Sequence, residues 1–210
     1  MSKSIIIGPL TIGLIVRGKT DENHKPGVME QHADCILPNG APIGFFGDGG
    51  DASSGSSGSS FASSLKSWAN GPSGSLNSSG LNMKGVVADY HTLQRIRPMY
   101  VDPAAAKKYK LISTVLLLDV TKAEADLFSQ YWTNLALNPG TFNILGGNCS
   151  THASEAFVAA KIVTSGIPGL DTPDNLFRQL KAKHAGNKRV FSGHIGNKPV
   201  GGGRYELIIN

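Results

Sequence analysis

Residues 142–163 run Phe142-Asn143-Ile144-Leu145-Gly146-Gly147-Asn148-Cys149-Ser150-Thr151-His152-Ala153-Ser154-Glu155-Ala156-Phe157-Val158-Ala159-Ala160-Lys161-Ile162-Val163. This stretch fixes where a helix starts and what stands at its start. Asn148 is a good N-cap, because its short side chain accepts from the free N–H groups of a first turn. Ala153, Ala156, Phe157 and Ala160 recur at helical spacing, so a helix is predicted from Cys149 to about Val163, with Gly166 just past its end. Cys149 then opens the helix, where the peptide dipoles favour an anion and lower a thiol pKa. The N–H groups of that turn are predicted to face outward, ready to hold an oxyanion. The other cysteine, Cys35, falls mid-strand, where no dipole helps it. Position alone leaves Cys149 equally readable as a small buried hydrophobe. Two cysteines with no C-x-x-C give no disulfide framework.

Working outward, Thr121 and Glu124 form a capping box before a helix carrying Ala125, Phe128, Trp132 and Leu135. Thr172 and Pro173 open a third helix with Leu176, Phe177 and Leu180. Strands are expected at Thr11–Val16, Gly85–Asp89, Leu111–Leu118 and Arg204–Ile209. Val115 to Leu118 is apolar on both faces, as a central strand would be. A hairpin is expected from Gln31–Leu37 and Pro42–Phe46 around Pro38-Asn39-Gly40. Strands, then helices, then strands again suggest an α+β domain. Between residues 51 and 80 there are 13 Ser and 5 Gly. The segment 49–80 therefore reads as a flexible insertion within a single domain spanning 1–210, with Phe61, Leu65 and Trp68 spaced for a short docked helix.

A thiolate needs a base within hydrogen-bond reach, usually His. Of the six histidines, His32 begins a hairpin strand, which would hold an imidazole rigidly. His152 shares the Cys149 helix, about 60° off its buried stripe by the 3.6-residue period. His24 lies in a polar loop, His91 follows a strand, and His184 and His194 fall in the basic, Gly-rich tail. Cys149 and His152 alone do not make a zinc site, and no phosphate-cradling loop is present.

The run Phe142-Asn143, two apolar residues, and Asn148-Cys149-Ser150-Thr151 before a helix resembles the circularly permuted branch of the NlpC-type, papain-like cysteine peptidases. Thr172-Pro173-Asp174-Asn175-Leu176 and the upstream His32-Ala33-Asp34-Cys35-Ile36-Leu37-Pro38-Asn39-Gly40 extend the likeness. It covers about 120–210 well and 10–50 loosely. The resemblance implies a papain-like antiparallel sheet packed against helices, with Cys149 as nucleophile, His32 as base and the His strand ahead of the Cys helix. It also implies a polar residue on the following strand to fix the imidazole tautomer. Here the sequence departs from the family, since Ile43-Gly44-Phe45-Phe46-Gly47 offers no polar side chain. A two-residue loop sets His32 against Gly47, and a three-residue loop ending at Ala41 sets it against Asp48. Asp48 is favoured over Asp34, which shares the His32 face further along the strand. Asn148 and His152 are the expected substrate contacts. No metal and no cofactor are expected.

The function implied by the resemblance is a cysteine amidase or endopeptidase cleaving peptide bonds of bacterial peptidoglycan. Relatives of this kind are interbacterial toxins of type VI secretion, made without a signal peptide, delivered to a target cell's periplasm and matched by an immunity protein. Alternatives on the same fold are a thiol acyltransferase or lipase, as in the lecithin:retinol acyltransferase relatives, and a protein deamidase. A binding module with a dead site is the non-enzymatic alternative. The apolar start is interrupted by Gly8, Pro9 and Gly13 and lacks a small-x-small cleavage site, so it reads as no export signal. No stretch approaches the roughly 20 apolar residues of a membrane span. The net charge of +5 is compatible with an anionic wall. No basic run interleaved with aromatics points to nucleic acid.

Overall fold

The computed structural model describes residues 2–27, 31–48, 82–143, 147–164, 172–184 and 186–210. The expected insertion 49–80 with its docked helix, the apolar pair Ile144 and Leu145, and Gly166 lie outside the described residues.

The chain is α+β, built on two antiparallel sheets. The strands are β1 (Lys3–Ile6), β2 (Thr11–Arg17), β3 (His32–Ile36), β4 (Pro42–Asp48), β5 (Asn82–Ala88), β6 (Ser113–Asp119), β7 (Thr141–Asn143), β8 (Lys188–Gly193), β9 (Ile195–Gly201) and β10 (Arg204–Ile209). The helices are α1 (Tyr90–Ile96), α2 (Pro103–Lys108), α3 (Lys122–Leu137), α4 (Cys149–Ala159) and α5 (Pro173–Lys183), with a 3₁₀ turn at Pro98–Tyr100. Among the described residues, seven strands form one sheet in the order β7-β5-β4-β3-β2-β6-β8, and β1-β10-β9 form a second.

Alternation along the central strands builds a core on each side. Leu14, Val16, Ala33, Cys35, Leu116 and Leu118 face the helices, where they meet Phe128 and Trp132 of α3, Ala153 and Phe157 of α4, and Leu176 and Phe177 of α5. Ile15, Ile36, Val115 and Leu117 point the other way, onto Ile5, Ile195, Leu207 and Ile209 of the small sheet. A third cluster joins Phe46 to Tyr90, Leu93, Tyr100 and Val101.

The hairpin closes differently from either expected register. Leu37 N–H donates to Ala41 O at 2.9 Å and Gly40 N–H to Leu37 O at 2.7 Å, so the loop is Pro38-Asn39-Gly40. Gly40 holds φ +83°, the left-handed residue that ends a common three-residue hairpin loop. The pairing is Asp34↔Gly44, Cys35↔Ile43 and Ile36↔Pro42. Continued to the strand's start, it sets Phe46 opposite His32, in place of Gly47 or Asp48. Asp48 lies two positions beyond and pairs across to Lys84.

Candidate active site

β3 opens with His32 and α4 opens with Cys149, and the two starts meet. α4 packs on the sheet face formed by Ala33 and Cys35, seated by Ala153, Ala156 and Phe157. Its N-terminus is set by the predicted cap: Asn148 Oδ1 accepts from Ser150 N–H at 3.0 Å and Thr151 N–H at 3.1 Å. This corrects one expectation, because a side-chain cap takes the N–H groups of the second and third helical residues. They are not both free for an oxyanion. The Cys149 N–H makes no hydrogen bond among the described residues and remains the turn's candidate donor.

The Cys149 thiol lies in hydrogen-bonding reach of the His32 imidazole and the Ala33 backbone N–H. Burial alone would push this thiol up; the adjacent His32 charge, its hydrogen bond and the Ala33 N–H outweigh burial and hold it below the ordinary thiol value. His32 responds in the opposite sense. Burial would lower it, but the Cys149 charge, Asp34 and Tyr100 raise it well above the usual imidazole value. The two shifts share one cause, since the charged form of each group favours the charged form of the other.

His32 Nε2 is 2.9 Å from Asp34 Oδ1. The approach is oblique, an ion-pair contact rather than an aligned hydrogen bond, since both residues project from the same face of one strand. Asp34 is fully buried, and Arg17 Nε donates to its Oδ2 at 2.7 Å. Burial would raise this carboxyl; the Arg17 and His32 charges hold it below its ordinary value of 3.8. Arg17 also donates to Tyr100 O at 2.8 Å. Thiol, imidazole, carboxylate and guanidinium thus follow one another along a buried row, where the charged forms of neighbours are opposite in sign and offset part of the cost of leaving water. Phe46 stacks on His32 with ring centroids 4.3 Å apart, and Tyr100 tilts against it at 5.5 Å.

The structure brings together Cys149, His32 and Asp34. Asn148 is present as the cap beneath the thiol. His152 is turned elsewhere: its Nδ1 is 2.8 Å from the Tyr131 hydroxyl and 3.1 Å from Glu155, and its ring meets the Phe45 edge. Asp48 sits past the His32 position for the reason of register given above. Arg17, Phe46 and Tyr100 escaped the sequence reading. Arg17 was the legible one, since a charge closing the apolar strand Thr11–Val16 needs a buried acid, and Asp34 is the acid on the next strand. Cys35 is the contrast: burial pushes its thiol well up, beside Asp34. Among the described residues no three metal-ligating side chains gather, and no helix is long and apolar enough to cross a membrane.

Chemically, such an arrangement suits covalent catalysis. A thiolate can add to a carbonyl carbon, the imidazolium can protonate the leaving group, and the neutral imidazole can then activate water. The chain matches no family model, no curated protein and no solved structure.

Proposed function

We propose that this chain is a cysteine hydrolase of the permuted papain-like type, with Cys149 as nucleophile, His32 as its acid and base, and Asp34 holding the imidazole. The observation that carries the reading is the meeting of a helix start bearing Cys149 with a strand start bearing His32, whose imidazole lies 2.9 Å from Asp34, and the thiol is shifted down and the imidazole up at that contact. A structural cysteine in an apolar core would shift upward, as Cys35 does. The substrate side of the proposal is an amide bond in the peptides of bacterial peptidoglycan, cleaved by a toxin that acts in the periplasm of a rival cell and is neutralised in its producer by an immunity protein. Its support is the Asn148-Cys149-Ser150-Thr151 helix start behind a His strand.

The test is direct. Purified protein should release soluble fragments from isolated sacculi, each with a newly freed amine or carboxyl end, and Cys149→Ala should release none. Expression in a bacterial periplasm should lyse or round cells, whereas cytoplasmic expression should be tolerated. Equal toxicity in both compartments with intact sacculi would move the reading to a deamidase or acyltransferase.

A further inference from the structure

Arg97 stands between α1 and the 3₁₀ turn, its backbone fixed by its N–H donating to Leu93 O at 2.8 Å. Its guanidinium lies over two rings, 5.4 Å from the Phe46 centroid and 5.9 Å from the Tyr100 centroid. These are the same two rings that bracket His32. Arg97 is half-buried, and no carboxylate or carbonyl among the described residues accepts from it. The contrast with Arg17 is instructive. Arg17 also faces the Tyr100 ring, at 4.7 Å, but is spent on Asp34 and on Tyr100 O. The same aromatic platform therefore carries one arginine neutralised by the site and a second whose donors have no acceptor among the described residues. Stacking on rings restrains a guanidinium without using its N–H groups, so the planar fork stays presented for a bidentate acceptor.

We propose that Arg97 is a specificity residue that binds a carboxylate of the substrate, one that the acyl group under attack by Cys149 carries at a short distance from the scissile carbonyl. The site would thereby select acidic peptide-like substrates over neutral ones of the same length. This rests on the reading of Cys149 as the nucleophile.

The probes are N-iodoacetyl-glycine, N-iodoacetyl-β-alanine and N-iodoacetyl-γ-aminobutyrate, each paired with its neutral N-methylamide. The Cys149 thiolate displaces iodide and forms a sulfur–carbon bond, so the rate at that residue, followed by mass spectrometry, reports both reactivity and placement of the carboxylate. For at least one spacer the carboxylate should react faster than its neutral twin. Arg97→Gln should cut that ratio about tenfold, the scale of a hydrogen bond to a charged group. Arg97→Lys should retain part of it, because charge survives but the fork does not. Arg95→Gln, at an exposed arginine of α1, should leave it unchanged. Rapid alkylation of Cys149 with the same ratio in wild type, Arg97→Gln and Arg95→Gln overturns the carboxylate subsite and spares the hydrolase. Alkylation of Cys149 no faster than that of an ordinary thiol overturns the hydrolase and the subsite with it.

Discussion

At the scale of single residues, four buried groups explain one another. Cys149 is low because His32 is beside it, His32 is high because Cys149 and Asp34 are beside it, and Asp34 stays ionised because Arg17 pairs with it. Removing Arg17 strands a carboxylate with no exposed surface, so Arg17→Met should destabilise the fold by about 3–5 kcal/mol, read by denaturant unfolding. Asp34 also sets an acid limb. Its pKa is lowered on folding, so its stabilisation is complete above 3.8 and is lost as pH falls through the lowered value. In Asp34→Asn the fall in unfolding free energy below pH 4 should be shallower, and turnover should drop by about 10² to 10⁴, the span expected when an imidazole loses its orienting acid. The two cysteines should separate cleanly: Cys149→Ala inactive, Cys35→Ala largely active, checked on the same sacculi assay.

At the scale of elements, what the sequence made legible was what carried a period or a cap. The capping box of Thr121 and Glu124, the Asn148 cap and the Thr172-Pro173 start all open helices where expected. β2, β3, β4, β6 and β10 also fall at their expected places within a residue or two. β1, β8 and β9 were not legible. β1 offers one buried residue, Ile5, in four, and β8 and β9 are polar edge strands whose exposed positions erase the alternation. α1 and α2, at seven and six residues, are too short to show a helical period. The candidate dyad was legible because each member opens an element; Asp34 was misjudged because one residue of loop length shifts a strand's whole register. Two element-level outcomes follow. Asn148→Ala should cost about 1 kcal/mol, the usual worth of an N-cap, measured by thermal or chemical unfolding. Gly44 lies across from Asp34, and a Cβ there would stand 2.5 Å from Asp34 Oδ1 and 2.9 Å from the Phe46 ring. Gly44→Ala should therefore slow turnover by displacing the carboxylate from His32, with Gly8→Ala, which has room, as the control.

At the scale of the whole molecule, the wide sheet is clamped between helices on one face and the small sheet on the other, and the hairpin is tied into that second layer. Tyr205 N–H donates to Asn39 O, Asn39 Nδ2 to Gly203 O and Asn197 Nδ2 to Gly40 O. A Cβ at Gly40 would come within 2.2 Å of Tyr205 O, so the loop that sets the His32 register is also pinned from outside. The lysines and arginine of residues 181–189 are partly consumed internally. Lys181 pairs with Glu22 at 2.8 Å, Lys188 donates to Lys181 O, and Arg189 pairs with Asp119. Global charge therefore carries little of the functional argument, and the sheet-and-helix junction carries most of it.

The central claim is that Cys149 and His32 share a thiolate–imidazolium pair, and the pH dependence of Cys149 alkylation by iodoacetamide, read residue by residue, tests it most directly. Raising pH should bring the rate up through the lowered Cys149 pKa, before an ordinary thiol with a value near 9.0 ionises, and His32→Ala should move that midpoint upward. A Cys149 that titrates like an ordinary thiol in both proteins would contradict the account.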